Sequence, residues 1–195
     1  MTIPRKLTLN KVGSNQFALN QAPVEALQKL RNGPLVAQSD IFVDAESASA
    51  VEYHAKVFEL VIKYRIVTAE EVGVRVYSSG DGKQETIIGY NKGSKKVFID
   101  RSKSGKIPSD KFAPKIEAPY TLHGESIEFR IFVDRGSVEV FIDGGALTMT
   151  SQIFPDNTKD AVSVYAPKGL YYIDELRLWN LNSIWSSTDV AEIEE

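Results

Sequence analysis

The chain has 195 residues, of which 43% are hydrophobic and 25% are charged, and its formal net charge is −3. This composition is typical of a globular protein with one sizeable core, and no apolar run approaches the roughly 20 residues that a membrane helix needs. The lysines and arginines are scattered among acids instead of forming a basic surface. We therefore expect neither nucleic acid nor a membrane as a partner.

Cysteine is absent, and His54 and His123 are the two histidines. Disulfides, thiol catalysis and thiolate metal centres are therefore excluded, and a metal site built from histidines is disfavoured. Residues 1–5 carry no apolar stretch after a basic head, so we expect no secretion signal there. We also expect no cofactor.

The chain begins with a predicted hairpin and one short helical segment. Two strands over residues 6–9 and 16–19 flank a turn that contains Gly13. Residues 23–31 then combine a proline near the start, good helix formers and an Asn-Gly-Pro stop. This pattern predicts one or two helical turns at most.

From residue 35 onward the pattern is that of successive short strands. Apolar and polar residues alternate, and Gly, Asp and Asn separate the stretches. The predicted strands, besides the hairpin at 127–142, are 35–43, 57–67, 72–77, 85–90, 96–99, 147–153, 161–165 and 170–181. Prolines between residues 102 and 120 predict a long loop. The acidic residues 186–195 are predicted to be a disordered tail, which leaves residues 1–185 as one domain.

The hairpin at residues 127–142 carries the strongest pairing signal. Odd-numbered positions up to Val133 and even-numbered positions from Val138 are apolar, which predicts two strands with one inward row each. One register places both rows in the core, because a slip of one residue would turn a row toward water. Its predicted pairs are Val133 with Val138, Ile131 with Val140, and Phe129 with Ile142.

The reverse face of this hairpin is also unusually aromatic. The same register pairs Arg130 with Phe141 and Phe132 with Glu139 on that face. Such a face is too apolar for a purely solvated surface, so we expect another layer to cover it.

About a dozen short strands with almost no helix predict an all-β fold. Strands of this number and spacing form either a sandwich or a barrel. We favour a two-sheet antiparallel β-sandwich of the concanavalin or jelly-roll type.

Two predicted strands end in the same Asp-Arg pair, Asp100-Arg101 and Asp134-Arg135. The structural interpretation, which we favour, is that aspartate accepts backbone N–H bonds in a turn while arginine binds a neighbouring carboxylate. The functional interpretation is sugar binding, because both groups can bridge vicinal hydroxyls while a ring such as Tyr90 contacts the sugar's C–H edge. These five residues are the candidate carbohydrate-binding residues.

The sequence singles out no catalytic residue. Glycoside cleavage needs two carboxyl groups about 5 to 9 Å apart, one of them with a raised pKa. Acids such as Glu128 and Asp143 lie in predicted turns or at outward strand positions, where carboxyl groups normally stay ionised. No nucleophile elbow or phosphate loop is present. We assign Trp179 and Trp185 to a core or an interface rather than to a sugar-stacking platform.

These motifs resemble those of a known family. Ile-Phe-Val-Asp-Arg-Gly-Ser-Val-Glu-Val-Phe at 131–141, Met-Thr-Ser at 149–151 and Ile-Phe-Pro at 153–155 are similar to the C-terminal β-sandwich of glycoside hydrolase family 32, the invertases, inulinases and levanases. Gly136 stands where that family usually has serine, which could loosen the turn. Further stretches agree in the same order, so the resemblance covers nearly the whole chain: residues 1–7, 21–24, 88–90 and 100–105.

The resemblance implies a role without catalysis. Members of this family cleave β-fructosides in an N-terminal five-bladed propeller, with an aspartate nucleophile and a glutamate acid/base. The propeller's Asn-Asp-Pro-Asn, Arg-Asp-Pro and Glu-Cys motifs have no counterpart in this sequence. We therefore expect an accessory domain that supports such a propeller. The alternative is an autonomous module that binds the terminal fructose of levan or inulin. The family contains secreted and cytoplasmic enzymes, so the resemblance assigns no compartment.

Overall fold

The computed structural model describes residues 2–44, 51–156 and 158–184, so Trp185 and the predicted tail lie outside the described residues. No helix in those three ranges is long and apolar enough to cross a membrane. The strands, in chain order, are β1 (Arg5–Lys11), β2 (Phe17–Pro23), β3 (Arg31–Gln38), β4 (Ile41–Val43), β5 (Glu52–His54), β6 (Phe58–Ile66), β7 (Glu71–Ser78), β8 (Glu85–Asn91), β9 (Lys96–Lys103), β10 (Lys115–Pro119), β11 (Ser126–Asp134), β12 (Ser137–Ile142), β13 (Leu147–Gln152), β14 (Ala161–Tyr165) and β15 (Tyr171–Leu181).

Two antiparallel sheets form the body of the structure. The seven-stranded sheet has the order β13-β12-β11-β6-β15-β3, and β4 also pairs with β15. The six-stranded sheet has the order β10-β9-β8-β7-β14-β5. The predicted all-β, two-sheet architecture is confirmed. Strands β1 and β2 form a separate two-stranded sheet.

One hydrophobic core lies between the two large sheets. Alternation places every second residue of β6 in that core, from Phe58 to Ile66, while Lys63 and Arg65 lie on the other face. A buried hydrogen bond of 2.6 Å from the Tyr64 hydroxyl to the Gly73 carbonyl joins the sheets directly. The facing sheet contributes mainly β-branched residues, which fill a pleated surface well; they include Val72, Val74, Val76, Ile88, Val97, Ile99, Val162 and Val164.

The register predicted for the hairpin of β11 and β12 is confirmed. Val133 pairs with Val138, and the other predicted partners are also opposite one another. All six residues of the two inward rows are buried in the core: Phe129, Ile131, Val133, Val138, Val140 and Ile142.

The N-terminal segment covers the reverse face of this hairpin, as the sequence predicted for an unknown layer. The Ile3 amide donates to a Glu139 carboxylate oxygen at 2.6 Å, and the Arg5 guanidinium donates to the other oxygen at 2.9 Å. Arg5 also lies 5.3 Å from the centre of the Phe141 ring. Phe141 is buried, as is Phe132, whose ring packs edge-on against it.

Three features differ from the sequence prediction. The predicted loop over 102–120 is partly wrong, because β10 forms an edge strand there and ends at Pro119, where no further ladder bond is needed. The predicted strand 35–43 is two strands, separated at Asp40, whose φ is 56°. Strand β5 has only three residues and gave no periodic signal.

The predicted short helical segment is confirmed as a 3₁₀ helix, Glu25–Leu30.

Candidate functional site

Arg101, one of the candidate sugar-binding residues, is built into the fold where β9 ends. Its guanidinium donates to the Ala113 carbonyl at 2.7 Å, the Ser151 hydroxyl at 3.1 Å and the Gln152 carbonyl at 3.0 Å. It also stacks 3.5 Å from the centre of the Phe112 ring. Partial burial lowers the pKa of Arg101 from its ordinary value. These contacts leave little of the guanidinium for a ligand, and they tie the loop after β9 to β13.

The two aspartates of the Asp-Arg pairs accept backbone amides close to them in sequence, Asp100 within β9 and Asp134 in the turn after β11. An Asp100 carboxylate oxygen accepts the Ser102 amide at 2.9 Å, and an Asp134 carboxylate oxygen accepts the Arg135 amide at 2.7 Å. This is the local hydrogen bonding that the structural interpretation predicted for aspartate. For arginine that interpretation was wrong in detail, since Arg101 binds carbonyls and a hydroxyl instead of a carboxylate.

Both Asp-Arg pairs converge on residues 151–156. Arg101 binds the first two of these residues, and Arg135 borders an open cleft of about 540 Å³ beside the others. The guanidinium of Arg135 has no hydrogen-bond or ion-pair partner in the part of the chain that the structure describes. The cleft is lined by Gln84, Gly105, Lys106, Arg135, Gly136, Ile153, Phe154, Pro155 and Asp156.

The floor of this cleft depends on Gly105. The backbone of Gly105 forms a parallel bridge with Phe154, and its φ is 104°. A Cβ atom at Gly105 would lie 2.1 Å from the Phe154 carbonyl oxygen. Only glycine allows this close approach and this conformation. Sequence analysis missed Lys106 and Phe154, because they lie in two separate loops without periodicity, after β9 and after β13, which the bridge between Gly105 and Phe154 brings together.

Tyr90 does not lie in the cleft. Its side chain is in the core and only 1% exposed, and burial raises its pKa. The ring is therefore not available to a sugar in this structure. The aromatic ring that borders the cleft is that of Phe154, which packs against Phe112 with ring centres 5.8 Å apart.

The acids near the 3₁₀ turn Asp143–Gly145 are more constrained than the sequence indicated. Burial first, and then the charges of Glu175 and Asp143, raise the pKa of Glu128. Asp143 accepts the Glu128 amide at 2.8 Å and the Tyr120 hydroxyl, so both of its carboxylate oxygens are engaged. Across residues 2–44, 51–156 and 158–184 no three acidic or histidine side chains form a group that could hold a metal ion.

A buried ion-pair cluster lies on the outer face of the seven-stranded sheet. Glu59 is fully buried and accepts two hydrogen bonds from Arg31 and one from Arg130, each 2.7 Å long. The Arg31 guanidinium also stacks 3.8 Å from the centre of the Trp179 ring. Trp179 is 9% exposed, which supports its assignment to packing rather than to a sugar platform.

The fold and the site define a two-sheet β-sandwich with an open, cationic cleft where β9, β11 and β13 end. The family model for the C-terminal domain of glycosyl hydrolases family 32 matches residues 26–180. A levanase of Bacillus sp. (strain L7) is 31% identical over 196 residues, which cover 98% of this chain and 21% of the levanase. A sucrose-6-phosphate hydrolase of Staphylococcus xylosus is 32% identical, over 89% of this chain and 33% of that protein.

A solved structure shows the same architecture. The exo-inulinase of Aspergillus awamori superposes with a TM-score of 0.83 at 25% sequence identity, over 94% of this chain and 36% of the inulinase. The chain therefore belongs to glycosyl hydrolase family 32, in which it corresponds to the C-terminal domain. It spans about a third or less of the length of these relatives.

Proposed function

We propose that this chain is the noncatalytic C-terminal accessory domain of a β-fructosidase, and that it supports the enzyme's catalytic propeller. The match of residues 26–180 to the family's C-terminal model carries this proposal. The small share of each relative that the chain covers supports it, because most of each relative lies outside the match. The proposal takes residues 1–185 as the accessory domain.

The chemistry of the described acids agrees with a supporting role. Glycoside hydrolysis needs two carboxyl groups that face a substrate cleft at a fixed separation. Asp143 is engaged by neighbouring donors, and Glu59 is neutralised by two arginines. In the cleft beside Arg135 the lining acid is Asp156, whose carboxylate accepts the Thr158 amide at 2.9 Å. A single, ionised carboxylate does not provide an acid/base pair.

Hydrolysis assays test this proposal. We expect the purified 195-residue chain to release no fructose from sucrose, inulin or levan. In the full-length enzyme, deletion of residues 1–185 is expected to lower the melting temperature of the catalytic domain. Fructose release by the chain alone, or an unchanged melting temperature after the deletion, would overturn the proposal.

A second candidate function, binding of a terminal fructose, is favoured by the cleft beside Arg135. Its guanidinium, which has no partner among the described residues, can bridge two vicinal hydroxyls, and the half-buried ring of Phe154 offers an apolar contact to a sugar. In this proposal Arg135 binds the sugar, while Asp100, Arg101 and Asp134 hold the surrounding turns.

Calorimetry with fructose, inulin and levan separates the two candidates. If the cleft binds sugar, Arg135→Ala abolishes the heat of binding, whereas Lys83→Ala, which removes an exposed cation outside the cleft, leaves it unchanged. An absence of heat with all three sugars at millimolar concentration leaves only the supporting role.

A further inference from the structure

The hairpin of β1 and β2 carries an apolar face that the rest of the described chain leaves open. Leu7 and Leu9 on β1 are 62% and 64% exposed, and Phe17 and Leu19 on β2 are 59% and 51% exposed. Leu9 pairs directly with Leu19, and the other two residues follow at spacings of two. Residues directly opposite and residues two apart share one face of a sheet, so the four side chains form one apolar face.

The opposite face of the same hairpin carries no large apolar side chain. Lys6, Thr8 and Asn10 on β1 lie on that side, opposite Ala22, Asn20 and Ala18 on β2. This alternation is the pattern of a sheet with one buried and one solvated face. The hairpin joins neither large sheet, and an isolated two-stranded sheet is marginally stable in water. Within residues 2–44, 51–156 and 158–184, no layer therefore covers the apolar face as its pattern requires.

Two side-chain contacts with the sandwich hold the hairpin, and with it the apolar face, in position. Arg5 lies on the same face as Leu7 and Leu9 and binds Glu139, so the face begins against β12 and then extends beyond it. The Asn20 amide donates to the Gly144 carbonyl at 2.8 Å, which attaches β2 to the turn after β12. The apolar residues are thus held on an anchored strand pair beside the sandwich.

We propose that the hydrophobic face formed by Leu7, Leu9, Phe17 and Leu19 packs against the catalytic domain of the full-length enzyme. This inference rests on the proposed function and names the surface through which the accessory domain gives its support. The chain covers 21% of the levanase and 33% of the sucrose-6-phosphate hydrolase, so most of each relative is available to form such a layer.

The size of the face favours a domain of the same polypeptide over a second copy of the chain. A stable interface between separate proteins uses roughly 20 to 30 residues on each side. A two-stranded ribbon with four large apolar side chains offers far fewer. A covalently attached domain needs less contact, because attachment gives it a high effective concentration at the face.

Cysteine labelling, followed on the peptide that carries the new thiol, tests this inference, because the 195 residues contain no cysteine of their own. In the full-length protein that contains this chain, Leu9→Cys places a thiol on the apolar face. The matched control is Asn10→Cys, which places a thiol on the opposite face of the hairpin, because Asn10 is the next residue of β1. We expect a thiol reagent to modify Cys at position 9 at least tenfold more slowly than at position 10, as measured by mass spectrometry of the peptide. Phe17→Cys and Ala18→Cys form a second pair on β2 should the first pair not fold.

Each outcome separates the inference from the proposed function. Equal labelling rates on both faces, in a protein that carries a catalytic propeller, would overturn the docking surface and leave the supporting role standing. Slow labelling at position 9 that disappears on dilution would identify a second copy as the occupant and would also overturn it. A full-length protein without a catalytic domain would overturn the proposed function itself.

Discussion

The side chains of Arg5 and Glu139 are 134 residues apart in the sequence and form an ion pair of 2.9 Å. Arg5 also donates to Thr148 and Thr150, so one guanidinium connects the N-terminal segment to both β12 and β13. The Glu139 side chain is only 4% exposed, and the Arg5 guanidinium and the Ile3 amide donate to its two carboxylate oxygens.

Arg5→Met is expected to lower the free energy of unfolding by about 1–3 kcal/mol, because it leaves the buried Glu139 carboxylate without its cation. Urea denaturation measures the change. The double variant Arg5→Met/Glu139→Gln is expected to lose less than the sum of the two single variants, since the second change removes the unpaired charge. Additive losses would contradict the coupling.

Glu59→Gln is expected to destabilise the protein by about 3–5 kcal/mol, because Arg31 and Arg130 then lie next to a neutral group. The matched control is Glu117→Gln, which removes a carboxylate from exposed pairs with Lys96 and Lys115. That change is expected to leave the free energy of unfolding nearly unchanged, since water screens exposed pairs. Equal losses in the two variants would show that the burial of Glu59 has no energetic consequence.

Gly73→Ala is expected to destabilise the protein by about 3 kcal/mol or more, because its Cβ would meet backbone atoms of the neighbouring strand. The Ile88 carbonyl oxygen would lie 2.1 Å away and the Gly89 Cα 2.6 Å away. Gly80→Ala is the control, because no atom lies within 4 Å of the Cβ position at Gly80. Thermal melting compares the two variants, and a similar midpoint for both would refute the expectation.

Stability is expected to fall with rising pH through the titration of Glu128. Its pKa is raised in the folded protein, so the folded state holds the proton more tightly than the unfolded state does. The contribution is therefore favourable below the ordinary glutamate pKa of about 4.3 and is lost as the pH rises through the higher folded value.

Glu128→Gln should consequently be more stable than the unmodified protein at pH 7, by at most ~0.5 kcal/mol because Glu128 is only half-buried and solvent screens its charge. At pH 3 the two proteins should have the same stability. Denaturant unfolding at both pH values measures the difference, and a gain of equal size at pH 3 would exclude titration as its cause.

The sequence predicted the fold where one face of a strand is apolar and the other polar. In β11 and β12 both rows alternate, and one register alone buries them, so Val133 and Val138 could be paired without coordinates. Strands β5 and β10 gave no comparable signal, because they are short edge strands with three and five residues.

The candidate site was harder to predict, because partners distant in sequence decide what each side chain does. Arg101 is engaged by Ala113 and Ser151, and no local pattern indicates either contact. Tyr90 is near the end of a strand whose two faces are both largely buried, so alternation could not tell an inward ring from an outward one. Arg135 belongs to a pair that looks identical in sequence, yet its guanidinium borders the cleft and has no hydrogen-bond or ion-pair partner among the described residues.

The place of β15 in the seven-stranded sheet has a consequence for biosynthesis. Strand β15 lies between β6 and β3, so the seven-stranded sheet cannot be completed until residue 181 has left the ribosome. Until then one side of β6, including Leu60 and Ile62, has no hydrogen-bonded neighbour. Such long-range strand pairing is slow and leaves an edge open to wrong partners, so the nascent chain is vulnerable to aggregation until β15 has been synthesised.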